Sequence, residues 1–132
     1  MTLLMLDTDI SSYVIRRRPP AIAERFERYA EQLCVSVMTA AELRFGAVKA
    51  GRADLARLVE AYLARVTILD WPESATFHYA RIRAKLESRG TPIGNMDLLI
   101  ACHAVAEQAT LVTNNLRHFA GVPELKVEQW ST

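Results

Sequence analysis

The sequence predicts a three-layer α/β/α sandwich around a mostly parallel sheet, and two observations predict this fold class. Short unbroken apolar runs alternate along the chain with longer segments that have helical periodicity. Strands buried on both faces lose the alternation of polar and apolar residues, and parallel strands need crossovers, which are usually helical. A chain of 132 residues that is 51% hydrophobic can bury a core of its own. We therefore expect a single domain over residues 1–132.

The first half of the chain is predicted to contain two strands and four helices. Asp7 closes the first apolar run, which we interpret as the central strand. Pro19 and Pro20 separate the first two helices, because proline cannot continue a helix but suits its first turn. The predicted elements are a strand over residues 3–6, helices over 10–16 and 20–29, a strand over 33–37, and helices over 38–50 and 54–64. The last helix has one apolar face, formed by Leu55, Leu58, Val59 and Tyr62.

The second half is predicted to contain three strands and two helices. Pro72 suits the first turn of a long helix, and Gly90 is typical of its end. The predicted elements are a strand over residues 66–69, helices over 72–89 and 97–107, and strands over 111–113 and 125–127. Ligands of such folds bind beyond the carboxyl ends of the strands, so polar residues there are the candidates for a site.

Composition excludes several classes of protein. The 16 Lys and Arg against 15 Asp and Glu give a formal charge of +1, which is not the basic balance of a protein that binds nucleic acid over its whole surface. The N-terminus lacks the pattern of a signal peptide, and no window reaches the roughly 20 apolar residues of a membrane span. Cys34 and Cys102 lie in apolar runs, so we expect buried free thiols. These features predict a soluble, cytoplasmic protein without a membrane partner.

Three carboxylates follow predicted strands or begin predicted helices. Asp7 comes directly after the first strand, Glu42 lies just past the second, and Asp97 opens an apolar helix. Each also has a purely structural interpretation. Asp7 and Asp97 are favoured residues for capping a helix, and the spacing Thr39-x-x-Glu42 is that of a capping box.

The same three acids are expected to meet at one edge of a parallel sheet. Carboxylates gathered in one cleft raise each other's pKa unless a cation neutralises them, and oxygen ligands suit Mg²⁺ or Mn²⁺. Asp7, Glu42 and Asp97 therefore predict a divalent metal site. Thr113 and Asn115, just past a later strand, would add hydroxyl and amide groups at the same rim, although an ordinary turn accounts for them equally well.

Four blocks of sequence and a short terminal one carry a resemblance to a known family: residues 5–10 (MLDTDI), 39–47 (TAAELRFGA), 92–101 (PIGNMDLLIA), 111–119 (LVTNNLRHF) and 127–130 (VEQW). In order and spacing they resemble the PIN-domain family, specifically the VapC-type toxins of bacterial toxin–antitoxin pairs. Asn115 falls where many members carry a fourth acid. Asp9 stands where asparagine is common, so no ligand role is carried over to Asp9.

The resemblance implies an RNA endonuclease in which Asp7 and Asp97 bind Mg²⁺ and Glu42 completes the acidic pocket. It also implies a cognate, VapB-like antitoxin that fills the acidic groove. Self-association is implied as well, for which the helices over residues 38–63 supply an apolar surface.

With that assignment, the expected reaction is hydrolysis of an RNA phosphodiester by a metal-activated water. We expect Glu42 to act as a ligand or a base, and Thr113 and Asn115 to orient the surrounding groups. Contacts to RNA phosphates are expected from local basic groups, namely Arg16, Arg17, Arg18, Arg44 and Arg117. The histidines lack zinc-site spacing and are expected to be partly buried or on the surface: His78, His103 and His118.

Two other functions fit parts of the sequence. Asp7-Thr8-Asp9 resembles the D-x-D motif of haloacid-dehalogenase-type phosphatases, with Asp7 as nucleophile and Asp9 as acid, but the catalytic lysine and late acidic pair of that family are missing. A non-catalytic module that binds RNA or protein would use the acids only as helix caps.

Overall fold

The computed structural model describes residues 2–130, which form a five-stranded sheet and seven α-helices. The strands are β1 (Leu4–Leu6), β2 (Leu33–Ser36), β3 (Thr67–Leu69), β4 (Thr110–Thr113) and β5 (Lys126–Gln129). The helices are α1 (Thr8–Arg16), α2 (Pro20–Arg28), α3 (Val37–Ala50), α4 (Ala53–Leu63), α5 (Ser74–Ser88), α6 (Asn95–Ala106) and α7 (Leu116–Phe119). A short 3₁₀ turn, Ala30–Gln32, precedes β2.

All five strands are parallel, in the order β3-β2-β1-β4-β5. β1 is central, as predicted, with Met5 in register with Cys34 on one side and Leu111 on the other. The chain builds the sheet outward from β1 to β3 and then returns to add β4 and β5 on the opposite side. The strand order therefore reverses between β1 and β4, where ligands bind in open parallel sheets.

The sheet is covered on both faces, which confirms the predicted three-layer α/β/α sandwich. Leu4 and Leu6 pack into one buried cluster, with Ile10, Phe26 and residues of α3 and α4. Met5, which points to the opposite face, packs into a second cluster with residues of α5 and α6. Both faces of β1 are thus buried, because successive side chains of a strand point in opposite directions. Within residues 2–130, no helix combines the length and the apolar composition that crossing a membrane requires.

The C-terminal end of the described chain closes the first cluster. Trp130 is fully buried, its backbone N–H donates to the Thr113 carbonyl at 3.0 Å, and its indole N–H donates to Glu128 at 2.6 Å. Its ring lies 6.0 Å from that of Tyr29.

Candidate active site

The carboxyl ends of β1 and β4 border a cavity of about 220 Å³, here called the acidic cavity. It lies at the reversal of strand order. The cavity is lined by Asp7, Thr8, Asp9, Asp97, Asn115, His118 and Phe119. Its polar groups are oxygen donors apart from one imidazole and the amide nitrogen.

Asp7 is almost completely buried, with 5% of its surface exposed. Its Oδ1 accepts the backbone N–H of Ile10 at 2.8 Å and so caps α1, which agrees with the structural interpretation of this residue. The neighbouring Thr113 side chain lowers the pKa of the carboxylate. Burial, together with the smaller effects of the Asp9 and Asp97 charges, nevertheless raises the pKa of Asp7 to about 6. Asp7 is therefore both a cap and a carboxylate whose charge is poorly compensated.

Asp97 does not cap a helix. Gly94 is the N-cap of α6 and makes no side-chain bond, and Asp97 lies in the first turn. Its Oδ2 is instead 2.8 Å from Nε2 of His118. The capping interpretation of Asp97 is therefore wrong, and its carboxylate is available to the cavity.

Glu42 does not take part in a capping box. Ser36 is the N-cap of α3, and its hydroxyl accepts the N–H of Met38 at 3.1 Å. Thr39 is therefore already inside the helix. Glu42 bonds to α1 rather than to the start of its own helix, because its Oε1 accepts the Thr8 hydroxyl at 2.6 Å. The box fails because the N-cap is Ser36, three residues before Thr39.

Glu42 lines a second cavity of about 400 Å³ between α1, α3 and α4, here called the groove. Thr8 and Asp9 line both the groove and the acidic cavity. In the part of the chain that the structure describes, no three His, Cys, Asp or Glu side chains approach closely enough to bind one ion together. The structure thus brings Asp7 and Asp97 together in the acidic cavity. Glu42 does not line that cavity, but it bonds to Thr8, which does.

Thr113 and Asn115 lie at the predicted rim. Thr113 is fully buried, its hydroxyl accepts the Asn115 N–H at 2.9 Å, and its side chain lies near enough to Asp7 to lower the pKa of that carboxyl. Asn115 lines the acidic cavity, and its Oδ1 accepts the N–H of His118 at 3.3 Å. Through this bond Asn115 caps the start of α7. Both residues therefore shape the turn and contact the site.

The histidines depart from the prediction in two ways. His103 is fully buried, with Nδ1 2.7 Å from the Ser36 hydroxyl and no hydrogen-bond partner for Nε2 among the described residues. Burial lowers its pKa. His118 is partly buried as expected, but its contact with Asp97 at the acidic cavity was not predicted. The spacing Asn115-x-x-His118 is typical of a capped helix start, and this sequence signal could have placed His118 at the rim.

The donor set of the acidic cavity suits a hard divalent cation. Carboxylate, hydroxyl and amide oxygens are the ligands that Mg²⁺ and Mn²⁺ prefer. Within residues 2–130, neither Asp7 nor Asp97 forms a salt bridge with a lysine or an arginine. A buried carboxylate beside a second one, without a basic partner, is the electrostatic situation that a bound cation relieves.

This fold and site define a PIN domain: the family model described as "PIN domain" matches residues 4–125, and the chain belongs to that family. Within it, the chain belongs to the VapC-type ribonuclease toxins. It is 44% identical over 127 residues to "Ribonuclease VapC2" of Haemophilus influenzae, covering 96% of each chain. It is 39% identical over 132 residues to the "tRNA(fMet)-specific endonuclease VapC" of Salmonella typhimurium, covering 98% of this chain and 99% of the relative.

Solved structures agree with the sequence comparison. One is the crystal structure of VapBC2 from Rickettsia felis bound to a DNA fragment from the promoter. A chain of that structure is 38% identical to this chain and superposes with a TM-score of 0.92, and the match covers 98% of this chain and 100% of the other. A chain of the DNA-bound VapBC from Salmonella typhimurium is 37% identical and has a TM-score of 0.90, with 99% of this chain covered.

Proposed function

We propose that this protein, a ribonuclease of the VapC type, hydrolyses RNA phosphodiesters at the acidic cavity with Mg²⁺ bound by Asp7 and Asp97. One observation carries the proposal. The Asp7 carboxylate is 5% exposed and has an acidic neighbour, Asp97, but no lysine or arginine partner within residues 2–130. Mn²⁺, which accepts the same oxygen ligands, is the expected substitute.

When bound, such a cation supplies an activated water and stabilises negative charge on the phosphate oxygens. The chain's own residues prepare the site. The Ile10 N–H donates to Asp7 and fixes its orientation, and the Thr113 side chain lies beside the same carboxylate. The Thr8 hydroxyl donates to Glu42, which lines the groove, and Thr8 itself lines both the groove and the acidic cavity; the role proposed for Glu42 is that of a proton acceptor.

The substrate proposed is RNA, as in the relatives named ribonucleases. Arg16, Arg17, Arg18 and Arg117 are exposed and remain candidates for phosphate contacts. Arg44 is a weaker candidate, because its guanidinium already forms two 2.9 Å hydrogen bonds with Glu60. Such contacts make RNA binding weaken as salt concentration rises.

The proposed partner is a VapB-like antitoxin, since several of the solved neighbours are VapBC assemblies. We also propose that the chain forms a homodimer and folds as one domain over residues 1–132. Phe45 and Val48 leave 64% and 80% of their surfaces exposed on α3, within the predicted self-association surface. A monomer at micromolar concentration in sedimentation experiments would contradict the dimer.

Cleavage assays with purified chain and labelled RNA test the activity. Asp7→Asn and Asp97→Asn are expected to abolish Mg²⁺-dependent cleavage, and EDTA to stop the wild type. Asp9→Asn is the matched control, because it removes an acid that also lines the cavity but has no assigned ligand role. Loss of activity in Asp9→Asn as well as in Asp7→Asn, together with hydrolysis of a phosphate monoester, would favour the phosphatase alternative. Wild-type rates in Asp7→Asn or Asp97→Asn would refute the proposal.

A further inference from the structure

His118 contacts the proposed site from an element that sequence patterns did not predict. Its Nε2 lies 2.8 Å from Oδ2 of Asp97, a residue 21 positions away on another helix. An ionised carboxylate only accepts hydrogen bonds, so Nε2 must carry the proton and donate it to Asp97. Both side chains are partly exposed, at 33% for His118 and 42% for Asp97.

The imidazole is oriented by its own helix. The backbone N–H of His118 donates to Asn115, which caps α7. The ring packs edge-on against Phe119 with the ring centres 4.9 Å apart, and Phe119 is only 2% exposed. A ring fixed by a cap and by a buried aromatic neighbour loses little further freedom when it binds a carboxylate.

Asp97 has no comparable support. Its carboxylate is in the first turn of α6, does not cap the helix, and has one hydrogen-bond partner within residues 2–130, His118. Without that partner, an aspartate exposed to this extent samples several staggered conformations. With it, Oδ2 is occupied and the carboxylate is held in one orientation.

We infer that His118 is a positioning residue of the cation site: it orients the Asp97 carboxylate through the Nε2–H···Oδ2 hydrogen bond. This inference rests on the proposed function, because it assumes that Asp97 binds the ion. Hydrogen-bond partners of metal ligands contribute in this way in many proteins, and their loss typically weakens metal binding about 10- to 100-fold.

Two conservative substitutions separate the hydrogen bond from the rest of the side chain. His118→Gln places an amide N–H near the position of Nε2, whereas His118→Asn places one near Nδ1, which is too short to reach Asp97. The measurement is Mn²⁺ affinity of the purified full-length chain by calorimetry, with thermal unfolding recorded in parallel. His78→Asn is the matched control, because His78 is a partly buried histidine that pairs with Arg81 along α5.

His118→Gln and His78→Asn are expected to bind Mn²⁺ about as tightly as the wild type, and His118→Asn about 10- to 100-fold more weakly. Unfolding temperatures should be unchanged, and excess Mg²⁺ should restore RNA cleavage by His118→Asn. Wild-type affinity in His118→Asn, or equal losses in His118→Gln and His118→Asn, would overturn the inference while leaving the cation site intact. Absence of Mn²⁺ binding by the wild type would overturn the proposed function, and this inference with it.

Discussion

At the scale of single residues, Asp7 combines two roles with opposite effects on stability. Its cap of α1 stabilises the fold, whereas its buried charge destabilises it. A folded-state pKa of about 6, above the ordinary value of 3.8, means that the folded chain binds a proton more tightly than the unfolded chain. The contribution of Asp7 is therefore most favourable at acidic pH and becomes less favourable as the pH rises through about 6.

Asp7→Asn should stabilise the protein at pH 7.5 in the absence of divalent cations. Asparagine keeps an oxygen that can accept the Ile10 N–H, and it removes the buried charge. We expect a gain of roughly 1 to 3 kcal/mol in the free energy of unfolding, because burial raises the pKa of Asp7 from 3.8 to about 6. Urea denaturation of both proteins in EDTA measures it, and the gain should disappear near pH 4.

Asp9→Asn is the control for this prediction, because Asp9 is exposed and should change stability little. The comparison with wild type at each pH is needed because His103 acts in the opposite direction. Burial lowers the pKa of His103, so its contribution to stability is lost as the pH falls below its ordinary value of 6.5. A less stable Asp7→Asn protein at pH 7.5 would contradict the proposed effect of the buried charge.

Sequence reasoning located Asp7, Asp97, Thr113 and Asn115 because strand ends and helix starts are local features. It did not predict that Glu42 would bond to Thr8, 34 residues away, rather than to its own helix start. It also missed the contact between His118 and Asp97. Both contacts depend on how separate elements are placed, which local spacing does not encode.

At the scale of elements, the start of α3 depends on a contact with α6. The Ser36 hydroxyl caps α3 and also lies 2.7 Å from Nδ1 of the buried His103. The other ring nitrogen of His103 has no hydrogen-bond partner among the described residues, so the Ser36 hydroxyl is the side-chain partner of this ring. This single hydroxyl connects the two helices that carry Glu42 and Asp97.

Ser36→Ala is expected to lower the free energy of unfolding by roughly 1 to 3 kcal/mol, because it removes a cap and the side-chain hydrogen bond to the buried His103 ring. Ser88→Ala is a matched control: the Ser88 hydroxyl bonds only to the Lys85 carbonyl at an exposed helix end, so the change should be within about 0.5 kcal/mol. Chemical denaturation measures both. Equal losses in Ser36→Ala and Ser88→Ala would show that the buried hydrogen bond between Ser36 and His103 adds nothing to the free energy of unfolding.

Elements were predicted well and their ends less well. Helix α1 begins at Thr8 rather than at residue 10 because Asp7 caps it, and α5 begins at Ser74 rather than at Pro72. The four-residue α7 is too short to show periodicity and was not predicted. Leu58, predicted on the apolar face of α4, is 49% exposed and lines the groove, so this part of the face lies outside the core.

At the scale of the whole molecule, the reversal of strand order is what brings the two acids together. Asp7 follows β1. Asp97 lies on α6, in the connection from β3 to β4, and β4 pairs with β1 on the side opposite β2. Alternating strands and helices predicted a parallel sheet correctly, but they do not specify strand order, which depends on packing between distant segments. The central position of β1 was nevertheless predicted, because its run is apolar on both faces.

Trp130→Ala is expected to destabilise the whole fold by roughly 3 to 5 kcal/mol, the usual cost of removing a large buried side chain. Trp130 packs against Tyr29 of the first cluster, and its backbone extends the link to β4. Phe77→Ala is the control, because Phe77 is 74% exposed. Urea denaturation should show a large loss for the first variant and little for the second. A small loss in Trp130→Ala would mean that the C-terminal segment is dispensable for folding.

The dual character of Asp7 has a genetic consequence. One base change converts an aspartate codon to an asparagine codon. Here the product, Asp7→Asn, is expected to lose nuclease activity and to have a larger free energy of unfolding. Cells that acquire this change would accumulate an intact, inert protein. Because Asp7 is only 5% exposed, nearly all of the surface outside the acidic cavity is unchanged, and an inhibitor that binds there would be shared between the inert protein and any active copy beside it.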